Sequence, residues 1–388
     1  MSPGVASDMK ANSFKGMLFL IVAALAAGQV LSASPAQQAE VKNENGVRVV
    51  HNPKAPIAGP GGKPAAVALT EDLVIGNDTA REDHWFGFLN ALDVDAAGRI
   101  YTVDPKSIRI RIFGPDGALV KAFGREGQGP GEFSGPGGIV AAPDGTFVVS
   151  DVLNARLSYF TREGAHLKNA SFGTYNLAGL AIDSHSNLYI THAQPPSGNT
   201  QTYELLKLDP AMKLLSRIHS LSMPFKLRGV NLIHMRLFFG MAGDDRLAWM
   251  VSTDYEIHVA DRSGKTVMRI FKDHDPRKVS EQDRAALMKS RFPKGAPAQI
   301  EIEFPDHFPA ASGFMTDEKG RIYVRTYETD GKGGTAVDVF DASGLYVTRF
   351  FVPEDADTIT VRNDKLYAIV KESGSGNPLV KRYALRWK

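Results

Sequence analysis

The sequence contains no cysteine. Disulfide bonds and a thiol nucleophile are therefore excluded, and so is the usual bacterial lipid anchor, which requires a cysteine directly after the export signal. A chain that holds together without disulfides needs a sizeable hydrophobic core. At 388 residues, 43% of them hydrophobic, this chain is long and apolar enough to form one.

The chain also has little excess charge of either sign, because its formal net charge is only +2. Nothing in that balance favours non-specific binding to nucleic acid. None of the ten histidines stands in an H-E-x-x-H pattern or another tight metal-ligand spacing, and the chain has no G-x-S-x-G nucleophile elbow. The sequence thus shows no local catalytic motif.

Long apolar runs are rare, and the one that stands out lies near the N-terminus. Lys10 and Lys15 precede the apolar run MLFLIVAALAA (17–27), and small residues follow in LSASPA. This order predicts a signal peptide over residues 1–33, cleaved between about Ser32 and Ala36, with a retained membrane anchor as the alternative. Because the run is too short to span a bilayer, we expect an exported protein, periplasmic or secreted, with no transmembrane anchor.

The composition changes after the predicted signal. Residues 34–66 are rich in Pro, Gly, Ala and Gln and read as a low-complexity tether, with a short strand expected at 47–50. Residues 67–388 form the predicted folded domain.

One pattern recurs after residue 88: an apolar strand, a tight turn, a second strand, and then a third and fourth strand joined by another turn. The first turns are marked by small or turn-favouring residues, 47, 42, 58, 75 and 44 residues apart: Gly98, Gly145, Asn187, Asp245, Gly320 and Asp364. A four-strand repeat of this length is typical of propeller blades. We therefore predict an all-β, six-bladed β-propeller of four-stranded antiparallel blades.

The last blade has only three strands before the chain ends. VALTEDLVIG (67–76) is the unassigned strand that would complete it and close the ring. The longest interval holds an insertion over residues 272–308, between blades four and five. In it, Ser280 and Asp283 resemble a capping box, which predicts a short helix ended by Pro293.

The glycine-rich stretch GREGQGPGEF (124–133) has neither the Lys-Ser/Thr of a P-loop nor a helix after it, so a phosphate-binding loop is excluded. With the segment that follows, including Asp151, Asn154 and Arg156, it resembles an NHL-repeat blade junction. The arrangement after residue 67 is similar to the exported bacterial six-bladed propellers related to NHL proteins, and the resemblance is strongest over residues 88–165. The resemblance implies that such stretches cross from the rim to the axis over one face and line the mouth of a central funnel.

Two interpretations of the conspicuous residues stay open. Asp151, Asn154 and Arg156, echoed by Asp104 and Arg109, are expected to brace turns. Trp85 and Phe86 either plug the funnel or offer a stacking surface. The candidate ligand-binding residues are those expected at the funnel face: His84, Trp85, Arg125, Glu132, His192, Asp254, Arg325, Tyr327, Lys371 and His307.

Two functions compete. The first is a monomeric binding module for a peptide, glycan or protein partner, which needs no cofactor and no catalytic set. The second is a metal-dependent enzyme, resembling propeller lyases or lactonases, with a divalent metal held at the funnel by residues from different blades. Fold alone does not separate them. The insertion is further predicted to lie over the funnel face as a lid.

Overall fold

The computed structural model describes residues 38–388 except 60–61, 77–83, 227, 353–355 and 373. The predicted signal peptide at residues 1–33 lies outside the described residues. Within the described ranges, no helix combines the length and the apolar character needed to cross a membrane.

Most of the strands form the six predicted blades: five are four-stranded antiparallel sheets, and the sixth is the four-stranded antiparallel part of a six-stranded sheet. Three strands precede the first inner strand: β1 (Glu40–Glu44), β2 (Val47–Asn52) and β3 (Val67–Ile75). Blade one contains β4 (Ala91–Val94), β5 (Ile100–Asp104), β6 (Arg109–Phe113) and β7 (Leu119–Phe123). Blade two contains β8 (Pro136–Ala141), β9 (Phe147–Asp151), β10 (Arg156–Phe160) and β11 (His166–Ser171). Blade three contains β12 (Leu177–Ile182), β13 (Leu188–Ala193), β14 (Thr200–Leu208) and β15 (Leu214–Pro224).

The second half of the chain continues the pattern. After β16 (Gly229–Asn231), blade four contains β17 (Leu237–Met241), β18 (Leu247–Val251), β19 (Glu256–Ala260) and β20 (Thr266–Lys272). The insertion carries α1 (Glu281–Arg291) and β21 (Glu301–Glu303). Blade five contains β22 (Gly313–Thr316), β23 (Ile322–Thr329), β24 (Thr335–Phe340) and β25 (Tyr346–Val352), and blade six begins with β26 (Ala356–Arg362), β27 (Lys365–Lys371) and β28 (Pro378–Trp387).

The inner strand of each blade contacts the inner strands of its neighbours, and β26 contacts β4, so the six blades form a closed ring. We call the face that carries the connections between blades the crossing face. The opposite face, which carries the turns between the first and second strands, is the turn face. The hydrophobic core lies between adjacent blades, where fully buried side chains such as Phe113, Phe147 and Phe340 pack.

The predicted ring closure is confirmed. Strand β3 pairs antiparallel with β28, from Ile75 opposite Val380 to Val67 opposite Trp387, and so supplies the fourth strand of blade six. A strand from the beginning of the described chain thus covers an edge that β28 would otherwise expose.

Strand β2 falls where a strand was expected at 47–50, and it extends a sheet rather than merely interrupting a tether. It pairs in parallel with β20, and β1 pairs with β2, so the sheet of blade four has six strands. Asn52 also fastens this addition to blade five, since its Nδ2 donates to the Gly344 carbonyl (2.9 Å) and its Oδ1 accepts from the Tyr346 N–H (2.8 Å).

Three of the first turns carry the same buried pair, in which a tyrosine hydroxyl donates to the aspartate that opens the turn. Tyr101 donates to Asp95 (3.0 Å), Tyr189 to Asp183 (3.3 Å) and Tyr323 to Asp317 (2.9 Å). Each aspartate also accepts backbone N–H groups of its own turn. We call this arrangement the Asp–Tyr pair, and it fixes the turn and fills the adjoining space between blades.

The residues predicted to mark the first turns have the left-handed backbone conformation in every blade except blade three. There Ser186 rather than Asn187 has the left-handed conformation, with φ of 62°. Gly98, Gly145 and Gly320 have φ of 82°, 86° and 78°, a region that glycine enters without strain.

The predicted helix of the insertion is confirmed. The Ser280 side chain accepts from the Asp283 N–H while the Asp283 carboxylate accepts from the Ser280 N–H, which completes a capping box. The helix ends at Arg291, two residues before Pro293. It connects blade four, which ends with β20, to blade five, which begins with β22.

Candidate functional site

The glycine-rich connection between blades one and two is held by the residues that resemble the NHL pattern. Asp151 accepts the Ser134 N–H (3.1 Å) and the Gly135 N–H (2.8 Å), and Asn154 donates to its other oxygen (2.7 Å). Arg156 lies 3.4 Å from that carboxylate and donates to the Glu132 carbonyl (2.8 Å). This network braces the connection, as expected of these residues.

The echo of this network in blade one uses a different arginine from the one expected. Asp104 accepts the Gly87 N–H (2.8 Å), and the buried Arg111, not Arg109, forms the ion pair with it at 3.4 Å. Arg109 instead donates to the Gly124 carbonyl at 2.9 Å. Arg109 stands opposite Asp104 in the strand register, which is why the sequence favours it, but only the side chain of Arg111 reaches the carboxylate.

Two predicted candidates, Arg125 and Glu132, form a pair within the same connection. The Arg125 side chain is 80% exposed and lies 2.6 Å from Glu132, whose carboxylate also accepts the Gly129 N–H (2.7 Å). The Gly129 hydrogen bond, and then Arg125, lower the pKa of Glu132. Glu132 therefore closes the loop, while Arg125 presents a cation at the surface.

The aromatic segment before blade one divides into buried and exposed members. Phe86 is 1% exposed and packs in the core between blades six and one, so it offers no stacking surface. His84 is buried edge-on against Phe113, with ring centroids 6.0 Å apart. Trp85 is 41% exposed, and its carbonyl accepts from Arg111 (3.0 Å). Of the two aromatics proposed for stacking, only Trp85 is accessible.

The insertion docks on the crossing face. Its Phe308 packs with Ile233, from the connection between blades three and four, and with Tyr327, from the end of β23 in blade five. The Phe308 and Tyr327 rings lie 4.5 Å apart, and the Arg277 guanidinium sits 4.4 Å above Phe308. Strand β21 pairs in parallel with β16 of the same connection. Aromatic and backbone contacts thus hold the insertion in place.

Cationic side chains lie beside this docked insertion. Burial raises the pKa of Tyr327, and the charges of Arg236 and Arg325 oppose that rise. Desolvation and then the Arg236 charge lower the pKa of His234. Arg325 donates to Thr335 (3.1 Å) and to the Ala356 carbonyl, which orients it between blades five and six. The structure therefore brings Arg325 and Tyr327 together with the insertion, and it adds Arg236 to them.

The remaining candidates stand apart on other blades. His192 accepts the Asn176 N–H on its Nδ1 (3.0 Å), which fixes the ring in blade three. Asp254 is exposed beside Thr253, whose hydroxyl lies 3.3 Å from its carboxylate. Lys371 is exposed in blade six. His307 is exposed and pairs with Lys278 through a backbone bridge within the insertion.

A cavity that no sequence pattern indicated lies at the centre of the ring, on the face opposite the insertion. A space of about 490 Å³ opens at the turn face and is lined by the ends of all six inner strands. Its walls combine apolar side chains, such as Leu180, Phe239 and Phe314, with charged ones, such as Asp93 and Arg362. None of the ten predicted candidates lines it.

Hydrogen bonds connect neighbouring blades around this cavity. Asp93 accepts the Ala141 N–H of blade two (2.8 Å), Thr316 donates to the Met241 carbonyl of blade four (2.7 Å), and Arg362 donates to the Val94 carbonyl of blade one (3.3 Å). Burial raises the pKa of Asp93, and the Arg362 charge opposes that rise. These side chains are hydrogen-bonded to neighbouring blades, so we interpret them as stabilising the ring rather than as ligand-binding groups.

The donor set of a metal site is not assembled in the part of the chain that the structure describes. No three histidine, aspartate or glutamate side chains there converge closely enough to hold a metal ion. The described residues therefore do not form the set of ligands that a divalent metal would need in the enzyme alternative.

No protein-family model matches this sequence, and no curated protein is significantly similar to it in sequence. Solved structures are similar in fold. An inferred exported protein from Bacteroides fragilis is 8% identical, with 87% of this chain and 99% of that one covered and a TM-score of 0.52. A member of the DUF4221 family from Bacteroides vulgatus is 12% identical, with 83% and 99% covered and a TM-score of 0.50.

A third similar structure, virginiamycin B lyase from Staphylococcus aureus, is 9% identical, with 83% of this chain and 100% of that one covered and a TM-score of 0.46. Identities this low show the fold alone. The chain is a six-bladed β-propeller of four-stranded blades.

Proposed function

We propose that this chain is an exported, non-catalytic propeller that binds a peptide, glycan or protein partner on its crossing face. The observation that carries the proposal is the docking of the insertion beside Arg236 and Arg325. A loop of about three dozen residues between two blades is far longer than a blade crossing needs, and such loops in compact domains are commonly functional.

The insertion provides a fixed surface rather than a loose loop. Phe308 packs with both Ile233 and Tyr327, so the insertion is anchored on the connection before blade four and on blade five. A surface that is ordered before binding loses less entropy when a ligand arrives. The anchoring therefore favours recognition over a purely connecting role.

The charges beside the insertion favour a ligand with carboxylate groups. Arg236 is exposed and has no ion-pair partner among the described residues, while Arg325 is held nearby by its bonds to blade six. Arginine binds carboxylates through two parallel hydrogen bonds. Acidic peptides and glycans with uronic acid groups carry such carboxylates, and the exposed Trp85 adds an aromatic ring on the same face.

The proposal also includes that the chain is exported and that it is related to NHL-like propellers. The lysine-preceded apolar run at 17–27 supports export, as does the likeness in fold to an inferred exported protein. The network of Asp151, Asn154 and Arg156 around the glycine-rich connection supports the NHL relation. We expect a monomer that needs no cofactor.

The test is binding of the purified mature protein to arrays of acidic and neutral glycans and peptides, followed by calorimetry on the best ligand. Replacing residues 275–305 with a short Gly-Ser link should leave the ring folded and weaken that binding at least about tenfold, because it removes the anchored surface. Arg236→Ala should weaken binding to acidic ligands and reduce its salt dependence.

Lys213→Ala is the matched control, because Lys213 is an exposed cation on the turn face of blade three. Its binding should equal that of the wild type. Binding that survives both the loop replacement and Arg236→Ala would reject the crossing-face site. Stoichiometric metal in the purified protein, together with chemical conversion of a bound ligand, would favour the enzyme alternative.

A further inference from the structure

We propose a second ligand site, in a cavity between blades two and three that takes a ring-sized, uncharged molecule with one oxygen acceptor. The cavity has a volume of about 200 Å³ and opens at the turn face. Its lining comprises Ala142, Asp144, Thr146, Val148, Tyr159, Leu167, Lys168, Ile182, Ser186 and Pro210. It shares only Ala142 and Ile182 with the channel cavity.

The origin of the cavity is a missing Asp–Tyr pair. The first turn of blade two has the same backbone hydrogen bonds as those of blades one, three and five, with Ala142 in the position of the aspartate. The position of the tyrosine, six residues later, is Val148. Two large polar side chains are thus replaced by small apolar ones, and the space that the pair fills elsewhere stays open here.

Blade four provides the contrast. It also lacks the pair, since Ala242 and Ala248 occupy the two positions. There the fully buried Tyr346 of blade five packs in the same hydrophobic cluster as both alanines. Loss of the pair is compensated between blades four and five and is left uncompensated between blades two and three.

The junction of blades two and three also lacks the polar links found at the other junctions. Side-chain hydrogen bonds join blades one and two, four and five, and six and one around the turn face. Among the described residues, no hydrogen bond joins blade two to blade three. Apolar packing alone therefore closes this cleft.

Tyr159 belongs to the wall of the cavity, and its buried hydroxyl lies behind the cavity surface. Its side chain lines the cavity, is only 7% exposed, and has a hydroxyl to which no described protein group is hydrogen-bonded. Burial raises the pKa of Tyr159 to about 12, so the hydroxyl stays protonated and able to donate. A buried donor without a partner is costly, and a ligand oxygen would relieve that cost.

The size and charge of the cavity define the ligand class. A cavity of about 150 Å³ accommodates benzene, so this one has room for a ring and a few further atoms. Ala142, Val148 and Ile182 present apolar surface. Lys168 and Asp144 are both exposed at the cavity, one of each sign, which favours a neutral ligand over an ion.

The test compares acetophenone with ethylbenzene, which has the same carbon skeleton without the oxygen, by saturation-transfer NMR and calorimetry on the whole purified chain. We expect the wild type to bind acetophenone about fivefold more tightly than ethylbenzene. Tyr159→Phe should abolish this preference while keeping ethylbenzene binding. Tyr189→Phe, within the pair of blade three, is the matched control and should leave the preference unchanged.

A second pair of variants fills the cavity. Ala142→Asp with Val148→Tyr rebuilds the Asp–Tyr pair and should abolish binding of both compounds. Val148→Phe adds a ring without a buried charge and should do the same if the double variant does not fold. Failure of the wild type to bind either compound at millimolar concentration would overturn the proposal, as would binding that persists in a folded, filled variant. Tighter binding of benzoate than of acetophenone would overturn the assignment to neutral ligands.

Discussion

The Tyr255 hydroxyl donates a 2.6 Å hydrogen bond to Oδ2 of Asp338, joining blade four to blade five. Asp338 is fully buried and also accepts from Tyr346 (2.7 Å) and Arg349 (2.6 Å), with the Lys272 ammonium 3.5 Å away. Burial alone would raise the pKa of Asp338, but the Arg349 hydrogen bond and the Lys272 charge outweigh it and lower the pKa. The carboxylate is therefore ionised and shared by two blades.

Replacing this carboxylate should be strongly destabilising. Asp338→Asn keeps the shape but leaves the buried Lys272 without its nearest counter-charge and leaves Arg349 with Glu328 alone, so we expect a loss of about 3–5 kcal/mol in the free energy of unfolding. Urea unfolding followed by fluorescence measures it. Asp254→Asn removes an exposed carboxylate and should change stability by less than about 0.5 kcal/mol. Equal effects of the two substitutions would contradict a structural role for Asp338.

Stability should fall in acid, and the sign follows from the lowered pKa values. Asp338 and Asp364 have pKa values below the ordinary 3.8, so their contribution is complete above that pH and is lost as the pH falls through the lowered values. The urea midpoint should decrease slightly between pH 7 and about 5, because the lowered pKa of His234 makes its protonation unfavourable in the folded state, and it should decrease more steeply below about pH 4. Asp338→Asn should decrease less steeply than the wild type. A midpoint that rises on acidification would show the assignment to be wrong.

Ring closure by β3 can be tested by truncation. A chain that begins at Phe88 lacks β3 and leaves the edge of β28 unpaired, which should cause aggregation and loss of cooperative unfolding. A chain that lacks only residues 38–52 removes β1 and β2 from blade four but keeps its four core strands, and it should remain monomeric. Light scattering and calorimetry distinguish the two. A stable monomer beginning at Phe88 would remove the basis for the closed ring.

The anchoring of the insertion should depend on Phe308. Phe308→Ala removes the ring that contacts both Ile233 and Tyr327, so the insertion should open locally while the ring stays folded. Amide exchange in residues 281–303 should accelerate at least about tenfold, with exchange in β18 and β23 unchanged. Phe351→Ala, at an exposed position of blade five, provides the control. Uniform acceleration across all blades would indicate global destabilisation instead.

Signal cleavage remains a prediction from the sequence. We expect mass spectrometry of the protein recovered from the envelope fraction of a bacterial host to show a mature chain that begins between Ser32 and Ala36. An intact Met1 in that fraction would contradict cleavage and favour the retained anchor.

The fold could be predicted from the sequence because each blade has turn-favouring residues at the same position between its first and second strands. Blade number, ring closure and the capped helix all follow from such local signals. The choice of Arg111 over Arg109, and the burial of Phe86, depend on packing between blades that periodicity does not encode. Likewise, no spacing indicates that β2 pairs with β20.

The candidate site was less accessible from the sequence for the same reason. Arg325 and Tyr327 were found because they interrupt a repeated position, but Arg236 lies in a connection without a pattern. The loss of the Asp–Tyr pair at Ala142 and Val148 was visible in the repeat. Its consequence was not, since in blade four the same loss is accompanied by Tyr346 packed with the two alanines.

The pairing of β2 with β20 and of β3 with β28 also sets an order of assembly. Residues 40–75 leave the ribosome early, yet their partners at 266–272 and 378–387 are synthesised much later. The Ile57 N–H meets the Tyr346 carbonyl of blade five, so this stretch wraps the outside of three consecutive blades. Such distant partners make folding slow, and β3 has no partner strand until β28, the last strand, has been synthesised.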